Sequence, residues 1–306
     1  MSDGLKELID SCNLTNFNDD QEKVISDYVI NFINSHQLPI QDCALGLLEG
    51  KTFVDFTNLK KNPILQNYSF YIEQCKLLFK RIYDKYVREK KNSDFKTCLG
   101  YLVSNSFMLL TSINTLLISG CYQSVITEYR TLYENYIILS FLKKYPESIE
   151  PFNDHFFICS LSLEKELSKI KNEEFSEKHS QKIKKLKDKY DEHFDDDYGW
   201  TYKVIKNRKD RNLETIFNES NLSKAFTLLY KESCKFTHST SYSVLFKPDF
   251  NYIIRFLHAS VEIIKNEFEL IFEEVKMPNK DRMIFHSFML YISNSLLVKI
   301  EESTSV

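Results

Sequence analysis

Two polar residues inside a long apolar stretch are the first candidates for chemistry in this sequence. Arg130 and Glu134 lie within Tyr122–Tyr145, which reads YQSVITEYRTLYENYIILSFLKKY. Because they are four residues apart, they share one face of the helix that this pattern predicts. A charged pair in such a segment is either an ion pair that holds helices in register or the floor of a functional site. The spacing alone leaves both interpretations open.

A second group of polar residues precedes a histidine near the end of another predicted helix. Tyr230, Ser233 and Thr237 share one side of that helix, and His238 follows at its end, in the stretch YKESCKFTHST. The helix dipole favours the charged form of a histidine at this position, whereas a nearby arginine favours the neutral form. Either environment leaves His238 able to titrate near neutrality, as a general acid or base requires. A simple helix cap is the structural alternative.

Several common kinds of site are absent from the sequence. There is no glycine-rich phosphate loop, no G-x-S-x-G turn and no H-E-x-x-H helix. The seven histidines are dispersed, and the three consecutive aspartates at 195–197 lack the alternating spacing of a calcium loop. We therefore expect no cofactor and no metal. Two Arg/His pairs at helical spacing, Arg255/His258 and Arg282/His286, are weaker candidates for a site.

Composition indicates the elements that position these residues. The sequence has only Gly 6 and Pro 6, and it shows no sustained alternation typical of strands. We expect an all-α fold, a bundle of long antiparallel helices with a short-helix N-terminal region. Residues 1–60 are predicted to form a helical accessory region and residues 61–306 the main bundle domain. The helices are expected at about 63–90, 94–120, 122–145, 147–193, 222–237, 249–276 and 280–301.

A loop with the sole tryptophan interrupts the helical pattern. Asp195–Trp200 reads DDDYGW, which predicts an acidic turn facing solvent. Trp200 is expected to anchor this turn to the bundle and to lie over the same region as Arg130 and His238, where it would help to position a substrate.

Charge, cysteines and hydropathy indicate the compartment. The net charge of −3 gives no general attraction to nucleic acid or to an anionic membrane. Seven cysteines occur singly, as is usual for reduced thiols of cytoplasmic proteins. The uncharged run that begins at Gly100 is long enough to span a membrane, but its many Ser, Thr and Asn residues favour a buried core helix. We therefore expect a cytoplasmic protein that does not contact a membrane.

Three of these stretches resemble a bacterial all-helical family annotated only as a domain of unknown function. Members carry an R-x-x-x-E helix, a Tyr-Gly-Trp loop and a later helix ending in His-Ser/Thr. The matching stretches here are YRTLYENYIILSFLKKYP, DDYGW and YKESCKFTHST, and the resemblance covers roughly residues 65–300. The family is similar in character to HEPN helical proteins, which include ribonuclease toxins and effectors of antiviral defence.

The HEPN resemblance implies a function that can be written in terms of named residues. It implies a metal-independent endoribonuclease acting in bacterial stress or phage defence, as a homodimer. His238 would be the base, Arg130 would stabilise the phosphate charge with Glu134 orienting it, and Tyr230 or Ser233 would position phosphate. HEPN sites usually place an arginine shortly before the histidine on the same helix. This chain has Lys231, Glu232 and Ser233 there, so its arginine would come from a neighbouring helix.

Two other functions are compatible with the sequence. The first is a non-catalytic helical interaction or sensor module, dimeric and bound to a partner protein. The second is a helical bundle that binds a small molecule, for which Phe 24 and Tyr 18 would supply an aromatic interior.

Overall fold

The computed structural model describes residues 62–87, 94–171, 176–220, 222, 227–237, 243 and 245–304. The predicted accessory region, residues 1–60, lies outside the described residues, and so does His238. The described part of the chain is helical and contains no strand, which confirms the all-α prediction.

Nine α-helices account for most of the described residues. They are α1 (Pro63–Ile82), α2 (Asp94–Ile118), α3 (Tyr122–Lys144), α4 (Ile149–Lys171), α5 (Glu177–Lys189), α6 (Leu213–Glu219), α7 (Thr227–Thr237), α8 (Phe250–Glu274) and α9 (Asn279–Thr304). A π-helical turn, Tyr83–Val87, extends α1, and short 3-10 turns form at Pro146–Ser148, Gly199–Thr201 and Arg208–Asp210.

Local sequence explains several helix ends. The side chain of Asn62 accepts hydrogen bonds from the backbone N–H groups of Ile64 and Leu65, so it caps α1. After α2, Gly120 adopts a φ of 71°, a conformation that favours glycine, and the chain turns directly into α3. Pro146 begins the 3-10 turn after α3 and accounts for the end of that helix.

The described residues divide into two compact units, which we describe separately. The first contains residues 62–87, 107–130 and those from 229 onward, and the second contains residues 94–106 and 131–228. The helices α2 and α3 each contribute to both units. The described residues of the predicted main domain, 61–306, therefore fall into two units. The extent of that domain stays a prediction.

The first unit has a core with buried tyrosines. On α1, the Tyr68 hydroxyl lies 2.8 Å from the Ser260 hydroxyl of α8, and the Tyr71 hydroxyl donates to the Val261 carbonyl at 3.3 Å. Burial raises the pKa values of both phenols well above the usual range. These contacts hold α1 against α8.

The second unit has a polar contact in its core. The Asn135 amide on α3 donates to the Leu102 carbonyl at 2.8 Å and to the Ser106 hydroxyl at 2.7 Å, both on α2. All three groups are part of the buried side of the helix pair, so these bonds satisfy polar atoms that burial would otherwise leave unpaired.

The helix α2 corrects one expectation from the sequence. Among the described residues, one helical stretch is long and apolar enough to cross a membrane. It is Lys96–Ile118 of α2, and 50% of its most apolar part is buried. Tyr101 and Met108 are exposed on its other side. The sequence predicted a buried core helix, whereas the described part of the chain leaves one side of α2 exposed.

Candidate functional site

Arg130 lies against the helix that leads to His238. Its guanidinium carbon is 5.8 Å from the centre of the Tyr230 ring, and both residues belong to the first unit. Arg130 and Tyr230 are each half-buried. A cation over an aromatic face is held by the ring quadrupole, so this contact fixes the arginine beside α7.

The predicted polar residues of α7 share one side of the helix but differ in burial. Ser233 is fully buried, and its hydroxyl donates to the Tyr230 carbonyl at 2.6 Å. Thr237 is exposed and donates to the Ser233 carbonyl at 3.1 Å. Both hydroxyls are therefore engaged by their own helix. For Ser233 this is not the geometry that contact with a phosphate requires.

Both flanks of residues 238–242 contact described parts of the first unit. Thr237 ends α7 on one side, and Ser243 follows on the other. Gln123, in the first turn of α3, donates to the carbonyls of Ser243 and Phe246, the latter at 3.4 Å. Ser243 is therefore held at the first turn of α3, the helix that carries Arg130.

A second arginine, Arg255 of α8, also contacts α7. Arg255 donates from Nη2 to Glu232 of α7 at 2.8 Å and from Nε to the Tyr252 carbonyl at 3.3 Å. Its guanidinium carbon is 3.9 Å from the centre of the Tyr252 ring. The Tyr252 hydroxyl also donates to Glu232. Glu232 therefore holds an arginine and a tyrosine of α8 against α7.

Sequence reasoning gave Arg255 little weight. It was considered only with His258 on its own helix, whereas the structure pairs it with a residue 23 positions earlier. Glu232 is one of the positions before His238 where HEPN proteins carry their arginine. Its carboxylate binds an arginine there instead. The signal that could have indicated this pairing was the acidic residue at a position where a cation was expected.

The remaining predicted site residues, Glu134 and Trp200, belong to the second unit. Glu134 is half-buried, one helical turn after Arg130 on α3. Trp200 is only 2% exposed and packs edge-on against Phe141 and Phe152, at ring-centre distances of 5.5 and 5.0 Å. The prediction that Trp200 anchors its loop agrees with this packing. Its role in positioning a substrate stays a prediction.

Comparison with protein families connects these residues to other proteins. Residues 96–251, about half of the chain, match a family of unknown function designated DUF5677. The chain belongs to this family. The matched range contains Arg130, Glu134, Trp200 and the whole of α7, and it is narrower than the 65–300 expected from the motifs.

The match confirms the coarser part of the sequence resemblance, a domain of unknown function. The HEPN-like character of this DUF5677 chain stays a prediction. No curated protein matches the chain, and no solved structure matches it.

The acidic turn of the DUF5677 chain is held by ion pairs within the second unit. Arg211 makes a two-pronged contact with Asp191, at 3.0 and 3.2 Å, and it also donates to the Ile205 carbonyl at 3.1 Å. Arg208 makes a similar contact with Asp196 at 2.7 and 3.1 Å. The hydrogen bonds from these arginines lower the pKa values of both carboxyl groups. These two ion pairs therefore stabilise the acidic turn.

A histidine and a cysteine of α4 form the other notable pair in the second unit. The His155 Nε2 lies 2.9 Å from the Asp196 carbonyl, and its Nδ1 lies 3.4 Å from the Cys159 sulfur. Because only an N–H can bond a carbonyl, the proton is on Nε2 and Nδ1 accepts from the thiol. Burial lowers the pKa of His155, and burial likewise raises the pKa of Cys159. Both groups are therefore neutral near pH 7.

The second Arg/His pair named from the sequence forms a link between helices. Arg282 and His286 of α9 both contact Glu269 of α8, at 3.0 and 2.7 Å. The hydrogen bond to His286 is the main cause of a lowered pKa for Glu269. In the described parts of the DUF5677 chain, no three His, Cys, Asp or Glu side chains are grouped so that they could hold a metal ion.

Proposed function

We propose that this chain is a HEPN-like helical protein of bacterial stress or phage defence, acting in the cytoplasm as a metal-independent endoribonuclease. The biological setting rests on the family resemblance seen in the sequence. The observation that carries the catalytic part is the contact of Arg130 with Tyr230, 5.8 Å from guanidinium carbon to ring centre. It brings a cation to the helix whose last residue, Thr237, directly precedes His238.

The proposed reaction needs a base and a cation. His238 takes the proton of a ribose 2′-hydroxyl, and the 2′-oxygen attacks the adjacent phosphorus. The bond to the 5′-oxygen breaks, and that oxygen takes a proton from water, which gives a 2′,3′-cyclic phosphate and a 5′-hydroxyl. The protonated His238 then returns its proton to the solvent. Arg130 stabilises negative charge on the phosphate at or next to the cleaved bond.

The neighbouring aromatic ring supports single-stranded RNA as the substrate. Bases of single strands stack on aromatic and guanidinium planes, and Tyr230 with Arg130 offers one plane of each kind. The net charge of −3 is unfavourable for a long, sequence-independent contact with the phosphate backbone. We therefore propose a short contact with an RNA loop or end.

Arg255 is the second cation of the proposed site. Its side chain is 44% exposed, and its guanidinium donates from Nη2 to Glu232 and from Nε to the Tyr252 carbonyl. Glu232 and the Tyr252 ring fix its direction. In this proposal Arg255 binds a second phosphate of the RNA, and Glu232 is its positioning residue.

The test is RNA cleavage by purified full-length protein and by the variants His238→Ala, Arg130→Ala and Arg255→Ala. Removal of the base is expected to lower kcat about 100-fold or more. Removal of Arg130 is expected to have an effect of similar size, and removal of Arg255 is expected to lower kcat/KM about tenfold. The products are examined for 2′,3′-cyclic phosphate ends, with EDTA present throughout.

Arg81→Ala is the matched control, because Arg81 is an exposed arginine in the last turn of α1. It is expected to cleave RNA like the parent protein. Circular dichroism and thermal unfolding verify that each variant is folded. If folded His238→Ala and Arg130→Ala cleave RNA as the parent does, or if the parent cleaves none, the proposal is wrong.

A non-catalytic interaction module is the second candidate function. The observation that favours it is an exposed apolar face on α4, described in the next subsection. The small-molecule alternative has less support, because Tyr68 and Tyr71 of the first unit are buried and hydrogen-bonded to Ser260 and to the Val261 carbonyl. They pack as core residues do.

A further inference from the structure

The helix α4 carries large apolar side chains on a face that the described chain leaves exposed. Phe156 is 68% exposed, Leu163 is 63% exposed, Leu167 is 45% exposed and Ile170 is 78% exposed. Isolated exposed apolar residues are ordinary on protein surfaces. These four lie on one helix within 15 residues, and all belong to the second unit.

Their spacing is that of a coiled-coil seam. With Ser160, the positions 156, 160, 163, 167 and 170 alternate in steps of four and three residues. Side chains at these steps form one stripe along a helix and pack against the same stripe on a second helix. The stripe of these five residues is hereafter called the α4 stripe.

A flank of α4 next to the stripe already has a partner in α5. Lys189 bonds Glu150 and Asp154, the Lys182 ammonium lies 4.5 Å from the centre of the Phe157 ring, and His179 lies 3.0 Å from Glu164. The order of these contacts runs in opposite directions along the two helices, so α4 and α5 are antiparallel. Phe156 and Phe157 lie about 100° apart around the helix, so α5 covers a flank of α4 next to the α4 stripe. The buried residues His155 and Ile158 lie on the side away from the stripe.

We propose that the α4 stripe is a self-association surface and that its occupant is the α4 stripe of a second copy of this chain. Two α4–α5 helix pairs would join through their α4 helices into a four-helix arrangement. The contact is isologous, with the same residues contributed by each copy. It is independent of the proposed ribonuclease site.

The area of the stripe suits this occupant. The four large side chains expose roughly 500 Å² per chain, at the upper end of the apolar patches found on monomers. Two copies would bury about 1,000 Å² in total, the lower limit for a specific interface. We therefore expect a dimer that dissociates in the micromolar range.

The shapes and charges along the stripe also favour self-pairing. In an antiparallel pair centred on Leu163, Phe156 lies opposite Ile170 of the second copy, and the small Ser160 lies opposite Leu167. Beside the stripe, Glu166 is paired with Lys169 at 2.7 Å within the chain. This pairing limits the repulsion between carboxylates when two copies approach.

The experiment measures the mass of the full-length protein by light scattering and sedimentation between about 1 and 100 µM, a range that brackets the expected dissociation constant. The parent protein is expected to change from monomer to dimer across this range. The double variant Leu163→Glu/Ile170→Glu is expected to stay monomeric, because four carboxylates would be buried in the interface. Leu245→Glu alters a residue that is 81% exposed elsewhere, and it is expected to dimerise like the parent.

Each outcome decides the proposal. A parent protein that is monomeric at all concentrations overturns it, and so does a double variant that dimerises with the parent's affinity. If circular dichroism shows that the double variant is unfolded, Leu163→Gln/Ile170→Gln replaces it. This second variant is expected to dimerise at least tenfold more weakly than the parent. A parent dimer that Leu245→Glu weakens equally would also contradict the assignment to α4.

Discussion

Two arginines, Arg211 in the second unit and Arg255 in the first, show how a structural ion pair differs from a candidate site. Arg211 has a side chain only 5% exposed, and its bonds to Asp191 and two backbone carbonyls engage both edges of the guanidinium. Arg255 is 44% exposed, donates from Nη2 to Glu232 and from Nε to the Tyr252 carbonyl, and stacks on the Tyr252 ring. Both arginines have carboxylate partners, so the presence of a partner does not distinguish them.

The difference is in what remains available to a ligand. The donors of Arg211 hold together the turn around residues 190–211. Because this guanidinium is buried, the Arg211–Asp191 ion pair stabilises the turn only while its hydrogen-bond geometry is kept. Arg255 is held in direction and still faces solvent, which is what the binding of a phosphate needs. The comparison predicts that changes in the turn lower stability and that changes along α7 and α8 lower activity.

The largest effect is expected for Trp200→Ala. The ring is 2% exposed between Phe141 and Phe152, so the substitution removes a buried indole and leaves a cavity. We expect the free energy of unfolding to fall by about 3–5 kcal/mol, as measured by urea denaturation. Trp200→Phe should lose less than half as much. Unchanged stability in Trp200→Ala would show that this loop does not anchor the second unit.

A smaller loss is expected for Arg211→Ala. It leaves Asp191, whose side chain is 24% exposed, without its two-pronged partner, and we expect a loss of about 2–3 kcal/mol. The matched control is Arg208→Ala, because the Arg208–Asp196 contact has the same two-pronged form but is exposed at 54% and 36%. That change should cost less than about 1 kcal/mol. Equal losses in the two variants would contradict the structural role assigned to Arg211.

These predictions indicate which parts of the molecule could be read from the sequence. The ends of α2 and α3 were predicted because Gly120 and Pro146 act locally on backbone geometry. The pairing of Arg255 with Glu232 could not be predicted, because it depends on how α7 and α8 pack. The same holds for Arg211 and Asp191, which are 20 residues apart. The exposure of the apolar residues on α4 could not be predicted either, because it depends on how the helices around α4 pack.

Acid is expected to remove the contribution of Asp191. The bonds from Arg211 lower the pKa of this carboxyl group in the folded state, so the folded state binds fewer protons than the unfolded state. The resulting stability is fully present above the unfolded pKa of about 3.9 and is lost as the pH falls through the lower folded value. Urea denaturation between about pH 6 and pH 3 measures it. In Arg211→Ala the part of the acid dependence that belongs to Asp191 should disappear, whereas an unchanged pH profile would contradict the assignment.

The most direct test of the central claim is single-turnover cleavage of single-stranded RNA by Arg130→Ala, compared with Arg211→Lys under conditions in which both are folded. Arg211→Lys keeps a cation in the turn, and we expect it to cleave RNA at the parent rate despite a lower stability. Arg130→Ala is expected to keep the parent's stability to within about 1 kcal/mol and to lose about 100-fold in rate. If Arg130→Ala instead cleaves RNA at the parent rate, the assignment of the functional site to α3 and α7 is contradicted.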